Sequence, residues 1–129
     1  MNKLHTEHVL IMYALIAKAT AGGTRGLRDI EILKSAVKKE VKKTSGLKEK
    51  DHIYKKSAEL MKTIIEERPF VDGNKRTAML ASLTLLRING YEIKTRPGDT
   101  EDFAMRVSNE RPSNREVESW LKKYSKLEA

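Results

Sequence analysis

The chain has no cysteine, so disulfides and thiolate metal sites are excluded, and a cytoplasmic protein is the natural expectation. Its longest apolar run, Val9 to Ala17, is too short to span a bilayer. The start of the sequence lacks a signal-peptide cleavage pattern, and no membrane association is expected. There is no internal repeat and no low-complexity linker. No segment shows sustained two-residue alternation, which argues against a sheet and for an all-α bundle. Aromatics are scarce, at 5% of 129 residues. A length of 129 residues fits a single domain covering residues 1–129.

What the chain has in abundance is charge, at 34% of residues with a formal net charge of +8. Lys, Glu, Leu and Ala dominate, a composition that favours helices. The positive balance points to an anionic partner: a nucleotide, a nucleic acid or an acidic protein. A solvated lysine-rich surface accounts for the charge equally well.

Helix-forming patterns and stop signals divide the chain into six segments. The first, about Thr6 to Thr20, is apolar almost all round and should be buried; Gly22-Gly23 stops it. Asp29 is a good N-cap for the second, with Ile30, Leu33 and Val37 on one face. That segment fades into a polar loop holding Lys42, Lys43, Lys48 and Lys50. The third starts near Asp51 and ends before Pro69. The fourth runs from about Asn74 to Ile88 and carries so little charge that it should be central. Tyr91 to Thr95 looks extended but is too short to imply a sheet. Asp99 or Thr100 caps the fifth, and Ser113 to Glu116 fits a capping box for the sixth.

The densest chemistry lies in Arg68 to Thr77, RPFVDGNKRT. Glycine, amide, two cations and a hydroxyl lead straight into an apolar helix. Free N–H groups and the positive dipole end at such a helix start favour an anion. Gly73 lets backbone approach a phosphate closely, Lys75 offers a point charge, and Arg76 can fork onto two oxygens. Asp72 suits Mg²⁺, or it caps the helix. Asn74 can hold the loop by local hydrogen bonds, and Phe70 reads as a core anchor. Arg25 and Arg28 flank a glycine turn, where they can join the site or serve the second helix. His5 and His8 share a helix face, but two histidines are too few for a metal site.

This run resembles the signature of the Fic/Doc family, and most closely its Doc branch. The family form is His-x-Phe-x-Asp/Asn-Gly/Ala-Asn-Lys-Arg-Thr, and Phe70, Asp72, Gly73, Asn74, Lys75, Arg76 and Thr77 match it. Gly26-Leu27-Arg28-Asp29 resembles a second element of Doc-type chains, and the likeness extends over nearly the whole chain. Fic enzymes that transfer AMP usually carry Gly in place of Lys75 and a further arginine in place of Met79. The resemblance implies an all-α bundle of about six helices that binds Mg²⁺ and ATP, or another nucleoside triphosphate. Nucleotide contacts fall to Gly73, Asn74, Lys75, Arg76 and Thr77, the metal to Asp72, and catalysis to position 68 with Asp72, Lys75 and Arg76. It also implies a toxin that phosphorylates a translation factor similar to elongation factor Tu. A Phd-type antitoxin would neutralise it by laying a helix across the site.

One position departs from the pattern. Arg68 stands where the family has its catalytic histidine. A guanidinium stays protonated and has no acceptor, so it cannot take a proton from an attacking hydroxyl. Losing a general base costs roughly 10²–10⁴ in rate. Glu66 and Glu67 are close in sequence, but helix spacing turns their carboxylates elsewhere. Both a degenerate homologue and a deliberate replacement of the histidine account for Arg68. A nucleotide-binding pseudoenzyme is the second reading. A small basic DNA-binding protein is the third, weakened because the positive charge is spread along the chain.

Overall fold

A computed structural model describes residues 1–20, 25–39 and 49–128. Six helices follow in order: α1 (Thr6–Ala19), α2 (Ile30–Lys38), α3 (Glu49–Glu67), α4 (Asn74–Arg87), α5 (Asp99–Glu110) and α6 (Asn114–Lys123). A short strand β1 (Tyr91–Ile93) follows α4, and β2 (Ser125–Leu127) follows α6. The Gly22-Gly23 stop and the loop lysines 42, 43 and 48 lie outside the described residues, and the Lys50 side chain is likewise not described.

The central position of α4 follows from its composition. Ala78, Ala81, Ser82, Leu85 and Leu86 are all buried, and α3, α1, α5 and β1 pack around the helix. Small residues on α4 let α3 approach closely, and Ile64, Met61 and Ala58 of α3 are fully buried with it. α6 packs on the other side of α3 through Val117 and Leu121.

Capping explains several helix starts and corrects others. The Asp29 carboxylate accepts hydrogen bonds from the N–H groups of Glu31 (3.0 Å) and Ile32 (3.3 Å), as an N-cap should. Ser113 Oγ accepts from Glu116 N–H at 3.2 Å. The reciprocal half of that capping box is absent, because the Glu116 carboxylate pairs with Arg106 instead. At α5 the N-cap is neither Asp99 nor Thr100 but Gly98, in a left-handed conformation with φ 92°. Asp99 begins the helix, and its carboxylate accepts from Arg96 N–H.

Two further expectations are corrected. α1 is not buried all round: Val9 and Tyr13 are buried, whereas Ile11 and Leu15 are more than half exposed. α1 lies at the edge of the bundle against α4 and α2, so its outer face meets no neighbour among the described residues. Tyr91 does start a strand that enters a sheet, though a minimal one. β1 pairs antiparallel with β2, Tyr91 opposite Leu127 and Ile93 opposite Ser125. A two-stranded ribbon is marginal alone. Here Tyr54 supports it, with its hydroxyl 2.6 Å from Ser125 Oγ and its ring edge-on to Tyr91.

Candidate functional site

The signature run forms the link between α3 and α4, and each of its residues is held by a specific partner. α3 closes with Arg68 N–H donating to Ile64 O at 3.2 Å. Arg68 itself takes a left-handed conformation, φ 53°. Glycine or asparagine usually fills that place after a helix, so arginine there is strained. Pro69 then turns the chain away.

Phe70 is fully buried and stacks on Tyr13, with ring centroids 3.9 Å apart. It is the core anchor expected. The Asn74 side chain and the Phe70 backbone bond reciprocally: Phe70 N–H donates to Oδ1 (3.0 Å) and Nδ2 donates to Phe70 O (2.8 Å). The loop from Phe70 to Asn74 is thereby closed on itself. Asn74 holds the loop with both the oxygen and the nitrogen of its amide.

Asp72 does not cap α4. Its Oδ1 accepts from Arg25 N–H at 3.0 Å, with the Tyr13 hydroxyl a long 3.5 Å away. That hydroxyl accepts from Gly26 N–H at 2.7 Å. The N-cap of α4 is Gly73, with φ 76° and ψ 10°, a conformation that costs glycine little. The turn leaves the first N–H groups of α4 without intrahelical acceptors, on the same residues, Asn74 to Arg76, that line the site.

These residues surround a cavity of about 400 Å³. Arg68, Asp72, Gly73, Asn74, Lys75 and Arg76 all line it. Ile16 and Thr20 of α1, Ile65 of α3 and Ser108 of α5 complete the wall. Arg76 is steered toward α1 by a 3.3 Å hydrogen bond from Nη1 to Thr20 Oγ1. Three cations face one carboxylate, so the cavity suits an anion.

Thr77 is not brought to the cavity. It is fully buried, its N–H donates to Gly73 O, and its hydroxyl has no partner among the described residues. Its position one residue beyond Arg76 turns it into the interior. Arg25 and Arg28 do not line the cavity either. Arg25 serves through its backbone N–H, and the Arg28 guanidinium is bonded to the carbonyls of Glu67 and Arg68.

Among the described residues the wall holds no histidine and no glutamate, and its carboxylate, Asp72, accepts from Arg25 N–H. None of His5, His8 and His52 lines it. His8 Nδ1 accepts from His5 N–H at the start of α1, and His52 is buried in α3. Glu66 turns to Lys62, 3.9 Å away, and Glu67 is exposed outside the cavity.

Tyr13, Thr20 and Ser108 escaped the sequence reading. No local pattern marks them, because the fold brings them from α1 and α5 to the start of α4.

Residues 3–86 match the Fic/DOC family. The chain belongs to the Fic/DOC family. The match ends inside α4, and α5, α6 and the ribbon lie beyond it. The chain is also similar to Toxin Doc of Mycolicibacterium smegmatis, with 35% identity over 72 residues. That alignment covers 56% of this chain and 55% of the relative, about half the length of each. Within the Fic/DOC chain, Met79 is 6% exposed and lines an adjoining groove rather than supplying a cation. Among the described residues no helix is long and apolar enough to cross a membrane.

Proposed function

We propose that this chain is a Doc-type toxin whose cavity at the start of α4 binds a nucleoside triphosphate, and that Arg68 leaves it able to bind but poor at transfer. The observation that carries this reading is the convergence of Arg68, Lys75, Arg76 and the α4 N-terminus on one cavity of about 400 Å³. Phosphates would lie against the α4 N–H groups and the two signature cations. Lys75 in place of glycine and Met79 in place of arginine favour the Doc branch, hence phosphotransfer over AMP transfer.

Mg²⁺ fits the residues present. Oδ1 of Asp72 accepts from Arg25 N–H, and Oδ2, with no partner among the described residues, can take a cation. No cluster of three acidic or histidine ligands exists among the described residues, so the remaining ligands would be phosphate oxygens and water, as is usual for Mg²⁺. Bound there, the ion would neutralise charge on the phosphates.

In an active form, a base at position 68 takes the proton of the acceptor hydroxyl. The hydroxyl oxygen bonds to the γ-phosphorus, and the nucleoside diphosphate leaves. The acceptor is a translation factor similar to elongation factor Tu, and a Phd-type antitoxin covers the site. Arginine at 68 cannot take the proton. A cation there favours the anion, so binding persists while turnover falls. That same substitution favours a second reading, a pseudoenzyme acting through protein contacts alone.

The test is labelled-phosphate transfer to elongation factor Tu by the chain as it stands and by Arg68→His, with ATP affinity measured alongside. Arg68→His should raise turnover by roughly 10²–10⁴ with a far smaller change in affinity. Equal activity in both forms would refute the role given to position 68. No activity in either would support the pseudoenzyme. Separately, the thermal shift that ATP and Mg²⁺ produce should vanish in a Lys75→Ala, Arg76→Ala double variant. An unchanged shift would place the nucleotide elsewhere.

A further inference from the structure

Residue 68 is the one non-glycine in the signature with a positive φ, and something must hold it there. The segment from Arg25 to Asp29 runs antiparallel along the signature and bonds to it repeatedly. Val71 N–H donates to Gly26 O at 2.9 Å, and Leu27 bridges Phe70. Arg28 N–H and Asp29 N–H both donate to Pro69 O, at 2.7 and 2.9 Å. The Arg28 side chain adds a fork: Nε donates to Arg68 O at 2.6 Å and Nη2 to Glu67 O at 2.5 Å. The Glu67 carbonyl ends the last turn of α3, where it lacks an intrahelical donor and carries negative dipole charge, and the Arg68 carbonyl follows directly after the helix.

We propose that Arg28 is a positioning residue for position 68. Its guanidinium fixes the peptides on both sides of Arg68, and so imposes the left-handed conformation that aims side chain 68 into the cavity. A rigid, planar fork suits this task, because its two parallel donors fix the relative orientation of two successive carbonyls. Lysine offers a single ammonium that can swing between them. Arg28 touches no ligand surface of the cavity, so it acts only through the backbone. As a statement about catalysis, this rests on the nucleotide-transfer reading above; as a statement about backbone conformation it does not.

The main-chain bonds from residues 28 and 29 to Pro69 O survive any substitution at 28, so variants isolate the guanidinium. Arg28→Ala and Arg28→Lys are compared with the parent, each also in an Arg68→His background. NMR scalar couplings and chemical shifts of residue 68 report its φ. The positive-φ signature should disappear or average out in Arg28→Ala and weaken in Arg28→Lys. An arginine that merely capped α3 would lower stability without moving φ at 68. In the Arg68→His background, turnover should fall roughly 10²-fold in Arg28→Ala, the scale expected of a misplaced catalytic group, with nucleotide affinity nearly unchanged. Retention of positive φ in Arg28→Ala overturns the proposal, as does an equal loss of affinity and turnover. If Arg28→Ala does not fold, Arg28→Lys decides by the same couplings. If Arg68→His shows no transfer, the transfer reading fails, while the couplings still judge Arg28.

Discussion

At position 68 two costs coincide in one residue. Arginine supplies charge to the cavity but not a base, and it does so from a conformation that ordinary residues avoid. A left-handed conformation costs a non-glycine residue roughly 1–2 kcal/mol, whereas glycine avoids it and loses ~0.5–1 kcal/mol more chain entropy on folding. Arg68→Gly should therefore stabilise the protein by about 0.5–1 kcal/mol. It should also weaken ATP binding, since one of the three cavity cations is gone. Urea unfolding, read as a shift in midpoint at unchanged slope, checks the first claim. Destabilisation by Arg68→Gly would mean that the arginine side chain contributes more to stability than its backbone costs. The neighbouring residues divide labour differently: Phe70 and Asn74 are spent on the loop, Asp72 has one oxygen unbonded among the described residues, and Lys75 and Arg76 line the cavity.

At the scale of elements, helices were readable because burial repeats along them. The apolar run of α4, the Asp29 and Ser113 caps and the Pro69 break each act locally, and each lies where the sequence put it. The failures are equally physical. Ile11 and Leu15 belong to an apolar helix, yet composition cannot reveal that α1 is an edge helix with one face that meets no neighbour among the described residues. Asp99 resembles a cap, but the adjacent glycine takes the left-handed turn more cheaply. Three-residue strands are too short to show alternation. Within the site, Gly73 and the cations were legible from their order alone, while Thr77 was lost to the interior and Tyr13, Thr20 and Ser108 arrived through tertiary packing. The ribbon offers a direct measurement. Tyr54→Phe removes the hydroxyl that meets Ser125 Oγ while keeping the ring packed on Tyr91. A loss of about 1 kcal/mol is expected, with faster amide exchange in 91–93 and 125–127. Unchanged exchange there would show that the ribbon does not depend on Tyr54.

For the molecule as a whole, the surplus of +8 means that acidification adds to an existing positive self-repulsion. One carboxyl works against that trend. Glu118 on α6 is half-buried, and burial raises its pKa from the ordinary 4.5. Lys122, Lys55 and Arg115 pull it back down, while Asp51 pushes it up. Lys122 is also drawn to Asp51, 3.2 Å away. The sign follows from proton binding: with the folded pKa above the unfolded one, the folded state holds the proton more tightly. Ionised Glu118 therefore costs stability at neutral pH. That cost is relieved as pH falls through the folded pKa, above 4.5, and the protonated acid carries none of it. Glu118→Gln, which cannot ionise, should be slightly more stable than the parent at pH 7, by no more than about 0.5 kcal/mol at a site that water still reaches. The difference should shrink toward zero as pH falls below 4.5. Paired urea titrations across that range measure it, and a Gln variant less stable at pH 7 would show that the surrounding cations outweigh the burial.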